Sequence, residues 1–271
     1  MTPRRRFGQH FLDAAWSARL VEAAALAPAD HVVEIGPGRG ALTFLLASRV
    51  ASVTAIEIDR DLAAGLRPRV PSNVRIIEGD VLEVDPGAFL GTAGASAIRV
   101  VGNLPYNVST PILFRLIDVA RTTGRLRDAT LMLQREVAER IASGPGSKAY
   151  GVLSIHAQLD ADITTLLRLP PGAFTPPPEV WSQVIRLTFR PPPVEVADRR
   201  LFETLVRSLF AQRRKTILNT LRPLAASRGL DAASVLRAAG LDSGRRPETL
   251  HLAELAGLAD ALRPPDAPCV V

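Results

Sequence analysis

The chain has 271 residues, 47% of them apolar and 22% charged, with 22 prolines, 19 glycines and one cysteine, a composition that supplies a core and excludes disorder throughout. No stretch nears the roughly 18 consecutive apolar residues that span a bilayer, and the opening MTPRRRFGQHFLDAAW sets arginines before no apolar segment, so a cytoplasmic protein without membrane attachment is expected. Cys269 has no second cysteine to pair with, so neither a disulfide nor a metal site is expected, and the net charge of +6, carried by 31 arginines and only Lys148 and Lys215, permits nucleic acid without specifying it.

In chain order, helical spacing over Asp13 to Ala27 is followed by the β-rich run HVVEI (31–35), a helix over Ala41 to Arg49, and SVTAIEI (52–58). Then come NVRII (73–77), AIRVVG (97–102), a helix over Pro111 to Arg121, ATLMLQ (129–134), ADITTLLRL (161–169) and SQVIRLTF (182–189). Strand–helix alternation of this kind predicts a parallel sheet covered by helices on both faces. The last two runs are separated by PPGAFTPPPEVW (170–181), which cannot form a crossover helix and so predicts an antiparallel strand at the sheet edge. Pro191-Pro192-Pro193 marks a boundary, giving domains 1–190 and 194–262 and a flexible tail 263–271. Beyond it Leu201, Leu205, Val206, Leu209 and Phe210 recur at helical spacing behind a cap at Asp198, and Asp231 and Glu248 begin two further short helices.

Three places carry chemistry. EIGPGRGA (34–41) is a glycine turn between strand and helix, where missing Cβ atoms at Gly36 and Gly38 and the free N–H groups of a helix start suit a polar ligand. The spacing leaves open a nicotinamide cofactor, S-adenosylmethionine or a tight turn with no ligand. Glu57 ends the second run and Asp80 follows the third, at the edge where open α/β sheets bind ligands; Asp59 and Asp61 read as helix caps or solvated loop acids. GNLPYN (102–107) presents the Asn103 amide oxygen and a neighbouring backbone carbonyl as two acceptors in a Pro-stiffened turn, a pair suited to the hydrogens of an exocyclic amine. Tyr106 would stack on the base and Phe174 would close its other face, the bland reading being a β-turn with core aromatics.

RFGQHFL (6–12), EIGPGRG (34–40), IEID (56–59), NLPY (103–106), MLQREVAERI (132–141), GSKAYGVLS (146–154), PGAFTPPPEV (171–180) and FAQRRKTILN (210–219) together resemble the small-subunit ribosomal RNA adenine N6,N6-dimethyltransferases, over nearly the whole chain. The resemblance implies an α/β class I methyltransferase fold, a Rossmann-like sheet of seven strands with the last antiparallel, and a small all-helical C-terminal domain. It implies S-adenosylmethionine as cofactor, bound by His10, Leu12, Gly36, Gly38, Glu57, Asp80 and Asn103. It implies catalytic roles for Asn103, the Leu104 carbonyl, Tyr106 and Phe174, and rRNA binding by Arg213, Arg214 and Lys215 on the first helix of the small domain. The implied substrate is two adjacent adenosines in the 3′-terminal hairpin of small-subunit rRNA in a pre-ribosomal particle, acted on by a monomer. His10 stands where many members have Asn, and Trp181 stands in a segment often more polar. Rival readings are a large-subunit rRNA methyltransferase conferring antibiotic resistance, an adenine DNA methyltransferase, a non-enzymatic assembly factor and a nicotinamide dehydrogenase. GSKAYG and FAQRRK favour the small-subunit enzyme; intact Glu57, Asp80 and Asn103 speak for live chemistry.

Overall fold

A computed structural model of the chain describes residues 10–91 and 97–263, so the RFGQ stretch (6–9) and the tail with Cys269 lie outside the described residues. The elements are β1 (Phe11–Leu12), α1 (Ala14–Ala23), β2 (His31–Ile35), α2 (Thr43–Ala47), β3 (Ser52–Glu57), α3 (Arg60–Leu66), β4 (Val74–Glu78), α4 (Pro86–Leu90), β5 (Ile98–Asn103), α5 (Ser109–Thr123) and β6 (Leu126–Gln134). They continue as α6 (Arg135–Ala142), α7 (Val152–Asp160), β7 (Ala161–Leu169), β8 (Phe174–Thr175), β9 (Ser182–Phe189), α8 (Arg199–Phe210), α9 (Ile217–Ala226), α10 (Ala232–Ala238) and α11 (Leu252–Ala261).

The apolar β-branched runs form one seven-stranded sheet in the order β4-β3-β2-β5-β6-β9-β7. The first five are parallel, and β9 runs antiparallel to both β6 and β7. The antiparallel strand is therefore not the edge, as the Pro-rich connection suggested; β7 is. Burial explains the swap. β9 is buried over most of its length, whereas β7 exposes Asp162, Thr164, Thr165 and Arg168, and a polar strand is the one that can face water at an open edge. A second, two-stranded sheet pairs β1 antiparallel with β8.

α1 starts at the predicted Asp13, whose side chain accepts from the Trp16 N–H. Its far end is held from beneath. Arg99 of β5, 2% exposed, donates to the Ala24 and Ala25 carbonyls at 2.7 Å each, and Arg186 of β9 donates to the Ala23 carbonyl at 2.7 Å. Asp128 and Asp30 compensate the buried guanidinium, at 3.0 and 2.9 Å. Cations at a helix C-terminus meet its unsatisfied carbonyls.

The described residues pack as two compact units, those up to 138 with 161–190, and 139–160 with those from 191 to 263. One junction falls at the Pro-rich boundary, but 139–160 departs from the sequence division. Tyr150, Ile155 and Leu159 supply apolar surface to the core of the helical unit, alongside Leu201, Phe202 and Leu209. Asp198 and Asp231 cap α8 and α10 as expected. Glu248 does not begin a helix; it lies in a single 3-10 turn, and α11 starts behind a capping box of His251 and Glu254. Among the described residues no helix is long and apolar enough to cross a membrane.

Candidate active site

Strand order reverses between β2 and its two neighbours, and such a switch point opens a crevice at the carboxyl edge. In register, Ile35 lies beside both Ile56 and Gly102, so the residues that follow β2, β3 and β5 converge. A Cβ at Gly102 would stand 3.0 Å from the Ile35 carbonyl oxygen, a tight contact that glycine avoids. The crevice holds a cavity of about 490 Å³ lined by His10, Leu12, Gly36, Gly38, Glu57, Asp80, Asn103, Leu104 and Tyr106. Nine of the residues singled out from sequence thus meet in one place.

Gly36 and Gly38 adopt positive φ (69° and 57°). Their amides are engaged within the protein, Gly36 N–H on the Ile56 carbonyl and Gly38 N–H on Glu57 Oε2, both at 2.9 Å. The expectation of free N–H groups at a helix start therefore fails here, because α2 begins only at Thr43; the glycines instead clear space. Glu57 is buried and its other oxygen accepts from the Asp59 N–H at 2.8 Å. Burial raises its pKa, the Asp59 and Gly38 amides lower it, and the Asp59 charge raises it, with a net upward shift. Of the two acids left as cap or solvated loop, Asp59 caps α3 and Asp61 lies in the first turn of that helix. Asp80 Oδ1 accepts from the Leu82 N–H at 2.9 Å, ordering the turn that brings its carboxylate to the cavity.

At the other end of the cavity the Asn103 amide is oriented. Its Nδ2 donates to the His10 carbonyl at 3.0 Å, which leaves Oδ1 as the acceptor. The Leu104 N–H donates to the Met132 carbonyl at 3.2 Å and its side chain is buried, so the turn's backbone is pinned. The Tyr106 hydroxyl lies 2.6 Å from Ser182 Oγ, and the His10 ring stacks on Tyr106 with centroids 5.6 Å apart. Burial raises the Tyr106 pKa, so the hydroxyl stays protonated at neutral pH.

Phe174 is a correction. At 3% exposure it belongs to the core of the first unit, packed with Leu12, Leu20 and Val184, and Thr175 lines the cavity in its place. The reason is the β1–β8 pairing, which sets Leu12 opposite Phe174 and needs the ring as core. Arg213, Arg214 and Lys215 are another correction, since α8 ends at Phe210 and they lie in the turn after it. There Arg213 donates to the Lys148 and Tyr150 carbonyls at 2.8 Å each, binding this turn to the GSKAYG loop and setting Lys148 beside it.

Sequence reading missed Glu34, Phe11 and Ile58, all of which line the cavity. Glu34 had a visible signal, an acid within an otherwise apolar strand. Burial pushes its pKa up to about 8, opposed by the Thr43 hydroxyl and reinforced by Glu57. Glu34 Oε2 is buried with no protein hydrogen-bond partner, an acceptor available to a ligand donor. Phe11 lies over Gly38 and under the Arg39 guanidinium, 4.2 Å from the ring centre. Acids at the ends of adjacent strands, an orphaned buried acceptor and a glycine turn that admits close approach fit a cationic, nucleoside-bearing cofactor such as S-adenosylmethionine.

A family model described as ribosomal RNA adenine dimethylase matches residues 1–256. The ribosomal RNA small subunit methyltransferase A of Syntrophotalea carbinolica is 45% identical over 265 residues, covering 97% of each chain. The protein of that name from Acinetobacter baylyi is 43% identical over 96% of this chain and 93% of its own. Among solved structures, a dimethyladenosine transferase from Plasmodium falciparum shares the fold at a TM-score of 0.77 and 23% identity, over 92% of this chain and 96% of that one. The 23S rRNA methyltransferase ErmE superposes at 0.67 with 26% identity, over 93% and 99%.

Proposed function

The chain belongs to the ribosomal RNA adenine dimethylase family, and from that premise we propose how its residues perform the reaction and on which bases. It is a small-subunit rRNA adenine dimethyltransferase that uses S-adenosylmethionine. The substrate we assign is two adjacent adenosines in the 3′-terminal hairpin of small-subunit rRNA, within an assembling particle.

When bound, the cofactor supplies an electrophilic sulfonium methyl. Leu12, Gly36, Gly38, Glu57 and Asp80 would hold it along β2, β3 and β4, with the His10 segment above. The adenine amine is a weak nucleophile because its lone pair is delocalised into the ring. Asn103 Oδ1 and the Leu104 carbonyl would accept its two hydrogens, favouring the pyramidal form whose lone pair points out of the ring plane. Tyr106, held by Ser182 and flanked by His10, would provide the stacking surface. Catalysis of this kind is mainly placement, and the nitrogen's surplus proton can leave after the methyl has joined.

The observation that carries this reading is the Asn103–His10 hydrogen bond, which fixes the amide so that its oxygen is the acceptor. Incubation with labelled S-adenosylmethionine and unmethylated small subunits, followed by base mapping, is expected to place label on both hairpin adenosines. Label only elsewhere would reject the substrate. Asn103→Ala should slow single-turnover transfer by roughly a hundredfold, the scale for losing one preorganised hydrogen-bonding group, while subunit binding persists. Near-parental turnover would remove Asn103 from the chemistry.

A further inference from the structure

Among the described residues three large apolar side chains are exposed: Ile58 at 47%, Val180 at 43% and Trp181 at 46%. Isolated apolar residues on a surface are ordinary. Ile58 follows the end of β3 and lines the cavity, with three strands between β3 and the β9 that the other two precede. Val180 and Trp181 adjoin one another and lead into β9 at Ser182, the register partner of Gln134 at the end of β6.

The indole is also presented from an anchored backbone. The Trp181 carbonyl accepts from the Arg135 N–H at 2.9 Å. The residue after it, Ser182, holds the Tyr106 hydroxyl at 2.6 Å, and Pro176, at the head of the three prolines before it, has its carbonyl 2.8 Å from His10 Nδ1. The same short segment therefore supports both the base-stacking Tyr106 and the exposed Trp181. Charge nearby is mixed, with Arg135 and Arg168 exposed alongside Glu136 and Glu179, so no phosphate site is built here. What the rim offers is a flat π surface. Every nucleobase can stack on such a surface, with little sequence preference.

We propose that Trp181 is the stacking platform for the nucleotide next to the one being methylated. This rests on the substrate reading above: with two adjacent adenosines to modify and one set of acceptors at Asn103, one base enters the cavity while its neighbour stays outside. Trp181 directly precedes Ser182, the residue that holds Tyr106, and its indole is exposed; in the proposed complex it would cover that neighbour's face.

The test uses the full chain as parent, Trp181→Ala and Trp181→Phe, with a hairpin RNA at low salt and with unmethylated small subunits. One base–aromatic stack corresponds to roughly a tenfold change. Trp181→Ala should weaken hairpin binding and raise KM on subunits by about that factor, at unchanged melting temperature and cofactor affinity, and Trp181→Phe should recover most of it. Hairpins in which one of the two adenosines is abasic should cost the parent a similar factor and cost Trp181→Ala nothing more. Independent, multiplicative losses would overturn the proposal, as would parental KM in Trp181→Ala. A loss on subunits but not on the hairpin would mean that Trp181 meets a ribosomal protein, which also overturns it. Absence of methylation by the parent would instead reject the substrate reading, and binding of the abasic hairpins would then decide the stacking role on its own.

Discussion

Two carboxyl groups, Glu34 and Glu57, stand on neighbouring strands behind the glycine turn, and burial raises the pKa of both. They differ in what compensates them. Glu57 receives two backbone N–H donors, from Gly38 and Asp59, which offset part of the upward push of burial. Glu34 leaves one oxygen without a protein donor, and with its pKa at about 8 it is protonated at neutral pH. Its protonation therefore couples folding to pH. Between the usual 4.5 and about 8 the unfolded chain has lost this proton and the folded chain still holds it, so the contribution is full at low pH and declines as pH rises. The decline is about 1.4 kcal/mol per pH unit. Glu34→Gln removes the titration, so its melting temperature relative to the parent should climb from pH 5 to pH 8. A difference independent of pH would show that Glu34 does not titrate in this window.

Among the elements, the two-residue β1–β8 pairing governs the mouth of the site. It anchors the His10–Leu12 segment, whose His10 carbonyl orients Asn103, and it turns Phe174 inward as core. In the helical unit the turn after α8 has a comparable holding task. Arg213 donates to two carbonyls of the GSKAYG loop, and that loop includes Tyr150, fully buried with its hydroxyl on the Leu250 carbonyl. Hydrogen bonds from a charged donor contribute about 1.5–3 kcal/mol. Both arginines are exposed and Arg213 differs by its two carbonyl contacts, so Arg213→Ala should lower stability by about 1.5 kcal/mol in denaturant titrations, the low end of that range, whereas Arg214→Ala should stay near the parent. Equal stabilities would mean that the Arg213 contacts contribute nothing to folding.

For the molecule as a whole, the formal charge is +6, and the turn after α8 with Lys148 gathers both of the chain's lysines. If Arg214 and Lys215 meet phosphates, neutralising both by alanine should weaken subunit binding uniformly and reduce the slope of log affinity against log salt by about 2. An unchanged slope would assign them to a solvated face. Residue types and order alone determined the strand runs, the helix starts at Asp13, Asp198 and Asp231, and the identity of the acids and the Asn103 turn, because each is set by local hydrogen bonding or by apolar periodicity. Spatial order was another matter. That β9 inserts between β6 and β7, that residues 139–160 join the helical unit, that Phe174 is core and that Arg213 braces a loop were decided by which distant surfaces bury one another, and burial between segments far apart in the chain leaves no local signature.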